Sequence, residues 1–281
     1  MSGLSAVTGT CALVWVDGPD APNFLQGLLT NDIAGLALGA SCRTLLLDNT
    51  GHIRADMRAL RTGATEFTLV SDVAVGHTLA TLLDEFHFSE DVDILGPETF
   101  ACVTVAGRLQ ADPVGIDVVL PGLVSGTVDL IGPDAATILT ANSLTAGTPT
   151  LLEARRIAAG VPRFLVDYTT DNLVQEAGLE AAVSFDKGCY LGQETVARLQ
   201  YRGRPNRRLC GLTLDGPASA GASLMVGDRA VGTLTSVADD PDLGRIGLAI
   251  LRREVAAGDQ LRVDEGNTSA TVVALPFTER S

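Results

Sequence analysis

Past Pro205 the chain changes character, and that change limits the folds open to it. Segments 208–214, 229–237, 244–250, 260–263 and 269–275 are short, rich in β-forming residues and separated by Gly, Pro and Asp. Short strands at even spacing with turn residues between them form a small barrel or a sandwich. Ahead of this point strand-like and helix-like stretches alternate, which is the pattern of an α+β protein. The boundary falls near Gly203–Asn206 and predicts two domains, 1–203 and 206–281. With 281 residues, 46% of them apolar, the chain has ample material for a core without disulfides or a structural metal.

The N-terminal region predicts a strand at 11–16 and a helix over 19–29, with Phe24, Leu25, Leu28 and Leu29 on one face. Asp17 or Asp20 is placed to cap this helix, and Thr30-Asn31-Asp32 ends it. A strand at 42–47 and a turn at Asp48–Gly51 follow. From His52 to Leu60 the residues alternate: Ile53, Ala55, Met57 and Ala59 share one face, Arg54, Asp56 and Arg58 the other. That is a half-buried antiparallel strand whose charged face is either solvated or lines a cavity for a charged ligand. Strands at 66–71, 100–105 and 122–130 and helices at 72–86, 133–142 and 151–159 complete two successive α+β modules.

The formal net charge of −14 opposes phosphate backbones over the surface as a whole. Against it stands a local island, Arg198, Arg202, Arg204, Arg207 and Arg208. Five widely spread cysteines form no CxxC, and the three histidines form no HExxH, so no metal set is expected. No apolar run reaches the length of a membrane helix, and the first residues lack a basic region ahead of an apolar stretch. The expectation is a cytoplasmic protein without a membrane partner.

The segment with most chemistry is Ser184–Arg198, SFDKGCYLGQETVAR. Gly188 and Gly192 flank Cys189 and Tyr190, and glycine permits tight turns and close approach. A helix is predicted from about Leu191 to Gln200, which puts Cys189 at its N-terminus, two residues after Lys187, the single lysine of the chain. Both features favour a thiolate, so Cys189 reads as a nucleophile, a transient metal or sulfur ligand, or a redox sensor. The alternative is a small buried hydrophobe. Gln193 and Glu194 bring an amide and a carboxylate suited to a heterocycle edge, or an acid suited to the first turn of a helix.

KGCYLGQE, from Lys187 to Glu194, resembles the signature octapeptide of the YgfZ family. Phe24–Asp32 resembles that family's FLQGxLTND helix, and Leu46–Asp56 its LLDxxGxIxxD hairpin. Arg156-Ile157 with Gly160 and Pro162 resembles its RIxxGxP segment, and Gln175–Leu179 its QEAGL segment. The resemblance spans about residues 5 to 210. It implies an aminomethyltransferase-like α+β fold: two ferredoxin-like modules around a central channel, with a C-terminal β-barrel. It also implies that tetrahydrofolate, or a one-carbon derivative, is the cofactor, and that iron–sulfur client enzymes, including those that modify tRNA, are the partners. The residues carried over as catalytic are Cys189, Lys187 and Asp56. Those carried over for folate are Gln26, Asn31, Asp56, Glu176, Tyr190, Gln193, Glu194 and Arg198; none is expected to bind a metal.

Two positions depart from the aminomethyltransferase pattern. Ala55-Asp56 keeps only the second of two paired acids, and Ala158 stands where a pterin-gripping glutamate is expected. These departures set an accessory folate-binding role against two alternatives, a folate-dependent one-carbon transferase or demethylase and an RNA-binding factor using Arg198–Arg208.

Overall fold

The computed structural model describes residues 5–107, 109, 111–264 and 267–277. Its contacts divide the chain into two units, Met1–Gly147 with Ala181–Thr195, and Thr148–Glu180 with Val196–Ser281.

The first unit is built on β1 (Ser5–Asp17), α1 (Ala21–Leu28), β2 (Ser41–Leu47), β3 (Ile53–Arg61), β4 (Phe67–Ser71) and α2 (Val73–Asp84). It continues with β5 (Asp93–Ala106), β6 (Val118–Pro121), β7 (Thr127–Gly132), α3 (Ala135–Ala141) and the short β8 (Thr145–Ala146). The strands form one sheet in the order β2-β3-β4-β1-β5-β7-β6, with β8 beside β1. β1 joins the two modules, pairing with β4 on one side and along nearly its whole length with β5 on the other.

The period-2 alternation of β3 is kept: Ile53, Ala55, Met57 and Ala59 are buried. α2 lies against β1 so closely that a Cβ on Gly76 would sit 2.1 Å from the Ala12 methyl carbon. The opposite face of the sheet carries an apolar cluster of Cys11, Leu13, Leu60, Val70, Leu120 and Ile131.

Two local expectations change. The strand expected over 122–130 begins only at Thr127, as β7; residues 122–126 are the turn that joins it to β6, closed by Gly122 N–H to Thr127 O and containing Gly126 at φ 76°. Leu123 and Val124, which read as strand residues, lie in that turn. Neither Asp17 nor Asp20 caps α1, because Asp20 accepts from Asp91 N–H and Asp17 from Gly18 N–H.

The second unit begins with α4 (Pro149–Ala158) and contains most of α5 (Gln193–Arg202), then β9 (Arg207–Leu214), β10 (Ser223–Val226), β11 (Arg229–Asp240), β12 (Gly244–Arg252), β13 (Gln260–Val263) and β14 (Ser269–Val273). These six strands close into a barrel in the order β10-β11-β12-β9-β14-β13. Closure removes the unpaired edges that a sandwich would leave. Leu212, Leu224, Leu234, Leu251, Val263 and Val272 fill its core.

Arg156 anchors α4 to the barrel. Its guanidinium donates to both Glu153 carboxylate oxygens (2.9 and 2.7 Å), Asp167 Oδ2 (2.6 Å), Val161 O (2.6 Å) and Ser236 Oγ (2.7 Å). Asp167 Oδ1 accepts in turn from Thr235 and Ser236. Every donor of a buried charge is matched, the condition under which such a charge is tolerated. Ile157 packs on Ile246 and Leu248 of β12, with Ala158 at the edge of the same apolar cluster. The Arg156–Pro162 segment is therefore a barrel-docking device.

No helix among the described residues is long and apolar enough to cross a membrane.

Candidate functional site

The octapeptide closes over the C-terminal end of α1. The last carbonyls of a helix have no partner within it, and here the motif supplies them. Lys187 Nζ donates to Gln26 O (2.7 Å), Leu29 O (2.6 Å) and Asn31 O (2.9 Å). Leu191 N–H donates to Gly27 O (3.2 Å). All three ammonium protons are thus engaged. Tyr190 is buried with its ring centroid 5.2 Å from Nζ, within cation–π range. Burial holds the Lys187 ammonium down to about 8, opposed by the nearby charge of Asp32 and Cys42, and pushes the Tyr190 hydroxyl up to about 12.

Thr30 stitches the same place from the other side. Its buried hydroxyl donates to Ala182 O (2.7 Å) and accepts from Leu45 N–H (2.9 Å), while its carbonyl accepts from Ser184 N–H (3.0 Å). Gly192, at φ 78°, lies so near the β2–β3 turn that an added Cβ would meet Asp48 O at 2.4 Å and Gly51 Cα at 3.2 Å. Gly51, at φ 91°, would collide with Thr195 at 2.8 Å. The FLQGLLTND segment, the LDNTGHI turn and the octapeptide are three parts of one interlock.

Gln26 and Asn31 serve the same loop. Gln26 Nε2 donates to Asp32 Oδ1 (2.9 Å), and its Oε1 accepts from Ile33 and Ala34 N–H (2.8 and 3.0 Å). Asn31 donates to Arg43 O (2.9 Å) and accepts from Asp32 N–H (2.9 Å). Asp56, 11% exposed at its side chain, takes a bidentate grip from Arg43: Nε to Oδ1 at 3.0 Å and Nη2 to Oδ2 at 2.5 Å.

Cys189 is exposed, and α5 begins at Gln193, so the thiol precedes the helix instead of heading it. Positive φ at Gly192 delays the helix start beyond the predicted Leu191. Lys187 turns its charge to backbone carbonyls, Asp32 and Cys42. Burial and Asp32 push the Cys42 thiol up to about 11. Gln193 is half-buried, and Glu194 is exposed in the first turn of α5, where an acid suits the helix dipole.

Glu176 and Arg198 belong to the second unit. Glu176 is 8% exposed, yet among the described residues its carboxylate receives only two long bonds, from Asn172 Nδ2 and Leu173 N–H, both 3.4 Å and through one oxygen, Oε2. Beside it Gln175 is buried; its Nε2 donates to Val196 O (2.9 Å), while its Oε1 is the one buried side-chain oxygen or nitrogen without a partner among the described residues. Arg198 is exposed on α5.

Sequence reasoning placed Arg58 on the charged face of β3 but missed three polar residues that it and Asp56 engage, Arg43, Thr104 and Asp129. Arg43 neutralises Asp56. Arg58 donates to Asp129 Oδ2 (2.6 Å) and Pro121 O (3.0 Å), and Thr104 to Asp129 Oδ1 (2.6 Å). Cys11 and Cys102 interact beside this pair; the interaction favours the thiolate at Cys11 and disfavours it at Cys102, and Arg58 adds to the first effect. Cross-strand register is the signal for these pairings: Arg43 lies opposite Arg58, Thr104 opposite Asp129, and Cys102 opposite Gly9, two residues from Cys11. Among the described residues no group of three or more His, Cys, Asp or Glu is placed to hold a metal ion.

Residues 8–111 match the family described as the GCVT N-terminal domain, and residues 207–279 the Glycine cleavage T-protein C-terminal barrel domain. The chain is 30% identical to the tRNA-modifying protein YgfZ of Edwardsiella ictaluri over 94% of its own length and 89% of that protein. It is 25% identical to an aminomethyltransferase of Listeria monocytogenes, over 95% of this chain and 84% of the relative. The crystal structure of the glycine cleavage system aminomethyltransferase T from Bartonella henselae superposes with a TM-score of 0.85, over 99% of this chain and 87% of the other at 20% identity, a likeness of fold. The chain belongs to the YgfZ family, with an aminomethyltransferase-like α+β fold and a C-terminal β-barrel.

Proposed function

We propose that this protein binds a reduced folate and supports tRNA modification by iron–sulfur enzymes in the cytoplasm, with Cys189 as its reactive group. The observation that carries the folate reading is the Gln175–Glu176 pair. A buried amide oxygen without a partner beside a sparsely bonded buried carboxylate offers two acceptors. A pterin edge, with its amino group and ring N–H, offers two donors to match. Such groups are costly to bury unsatisfied, so a ligand that supplies the donors is favoured by the relief of that cost. When bound, a reduced folate supplies a one-carbon carrier at its N5 and N10 atoms. Gln193, Glu194 and Arg198 remain further candidates for contact with it, and the division 1–203 and 206–281 is retained as the functional one.

An accessory role is favoured over one-carbon transfer by the Arg43–Asp56 ion pair. The acid that would serve the folate nitrogens is already neutralised at both oxygens. Relatives named tRNA-modifying protein YgfZ support the tRNA reading. In a strain lacking the protein, Cys189→Ala is expected to leave folding and folate affinity unchanged and to fail to restore iron–sulfur-dependent tRNA modification. Full restoration by that variant removes Cys189 from the function. Undiminished formation of methylenetetrahydrofolate from an aminomethyl donor would return the transferase reading.

A further inference from the structure

The second unit carries a strongly basic surface on a chain whose net charge is −14. Arg207 at the start of β9 lies directly opposite Arg252 at the end of β12, and both are exposed. Like charges facing each other across two strands destabilise a sheet. Arg253 is tied to the same place, its N–H donating to Asn206 O. Arg202 and Arg204 precede it, and both are exposed. The five steps along the chain from Arg202 to Arg207 span at most about 18 Å even when extended.

None of these five guanidinium groups pairs with an acidic side chain among the described residues. The neighbouring Glu254 is engaged by Arg229 at 2.9 Å. In a chain with 34 acidic residues against 20 basic ones, five neighbouring exposed arginines that no described acid pairs form a surface complementary to an external polyanion. Tyr201, on the last turn of α5, adds a ring that is 70% exposed.

We propose that this surface binds single-stranded RNA, the five arginines holding successive phosphates and Tyr201 stacking on a base. Planar guanidinium forks match phosphate oxygens two at a time. An exposed aromatic ring beside a basic track is the arrangement that holds unpaired bases. A carboxylate chain would use the arginines but gain nothing from the face of an exposed ring. The proposal stands independently of folate binding.

The test is fluorescence anisotropy of a labelled 20-nucleotide single-stranded RNA with the full chain at 50 to 200 mM salt. Five phosphate contacts predict a log–log salt slope of about −3.5, and so an affinity loss of about a hundredfold across that range. The double variant Arg207→Thr, Arg252→Thr is expected to flatten the slope to about −2 without lowering the melting temperature, since a like-charge pair is removed. Arg204→Ser with Arg253→Ser repeats the test outside the strands, should the barrel variant fail to fold. Tyr201→Ala is expected to weaken binding about fivefold to a hundredfold with the slope unchanged. The proposal is overturned by no binding at 50 mM salt, or by a slope indifferent to both arginine pairs. It is equally overturned by a duplex RNA that binds more tightly, or by phosphatidylserine vesicles that bind where the RNA does not.

Discussion

Lys187 and Glu176 are both shielded charged residues in segments that the sequence singles out, and they spend their hydrogen-bonding capacity in opposite ways. Lys187 gives all three protons to three carbonyls between 2.6 and 2.9 Å away. Around it Gln26, Asn31 and Thr30 are likewise committed to neighbouring groups. Glu176 receives two bonds of 3.4 Å, and Gln175 beside it keeps one buried oxygen with no partner among the described residues. The first region has the properties of a clasp. The second keeps acceptor capacity that no described neighbour uses. A signature motif can thus owe its residue types to the demands of an interlock, while polar groups with unused capacity stand elsewhere.

The sharpest way to break the comparison is at Gly192. An alanine there must hold φ near 78° with its methyl 2.4 Å from Asp48 O. Gly192→Ala is expected to cost about 3 to 5 kcal/mol, by strain and collision together. Denaturant unfolding measures this; a loss below about 1 kcal/mol would mean that the turn and the motif do not interlock. Lys187→Met follows at about 3 kcal/mol, because it leaves three carbonyls without their donor. Folate affinity should survive it.

Glu176→Gln reverses that pattern. Stability should change by less than about 1 kcal/mol, since the bonds lost are long, while folate affinity falls about tenfold to a hundredfold as charge-assisted acceptance is lost. Calorimetric titration with 5-formyltetrahydrofolate separates the two effects.

The smallest effect is in pH. Lys187 is held at about 8 in the folded chain against 10.5 in a free lysine. Between these values the unfolded chain binds the extra proton, so this group's contribution to stability is least favourable below pH 8 and rises from pH 8 towards 10.5. The difference in unfolding free energy between the parent and Lys187→Met should therefore grow over that interval, under reducing conditions. A flat difference would place the ammonium in water.

The same two regions show what a sequence can and cannot reveal. Alternation at Ile53–Ala59 and the even spacing after Pro205 made the sheet and the barrel legible, because burial imposes a period. β10, four residues between Gly221 and Gly227, was too short to carry one, and Leu123 and Val124 are apolar residues in a turn. At the site, the order Lys187-Gly188-Cys189-Tyr190 was visible, but the lysine's acceptors are backbone oxygens about 160 residues earlier in the chain. Backbone acceptors have no residue type, so sequence offers no sign of them. Asp56 read as an available acid because its partner Arg43 depends on the register of β2 against β3. Glu176 was singled out, whereas the orphaned oxygen of Gln175 is a matter of packing alone.

The central claim, that the motif clasps while Gln175–Glu176 receives the folate, is tested most directly by following thermal unfolding of the full chain in 5-formyltetrahydrofolate for the parent, Lys187→Met and Glu176→Gln. Ligand at a hundredfold excess over Kd stabilises by about 2.7 kcal/mol, or roughly 5 to 11 °C for a chain of this size. Lys187→Met is expected to melt lower than the parent yet rise with ligand by the same amount, and Glu176→Gln to start at the parental temperature and rise much less. Loss of the ligand-induced rise in Lys187→Met with its retention in Glu176→Gln would contradict it.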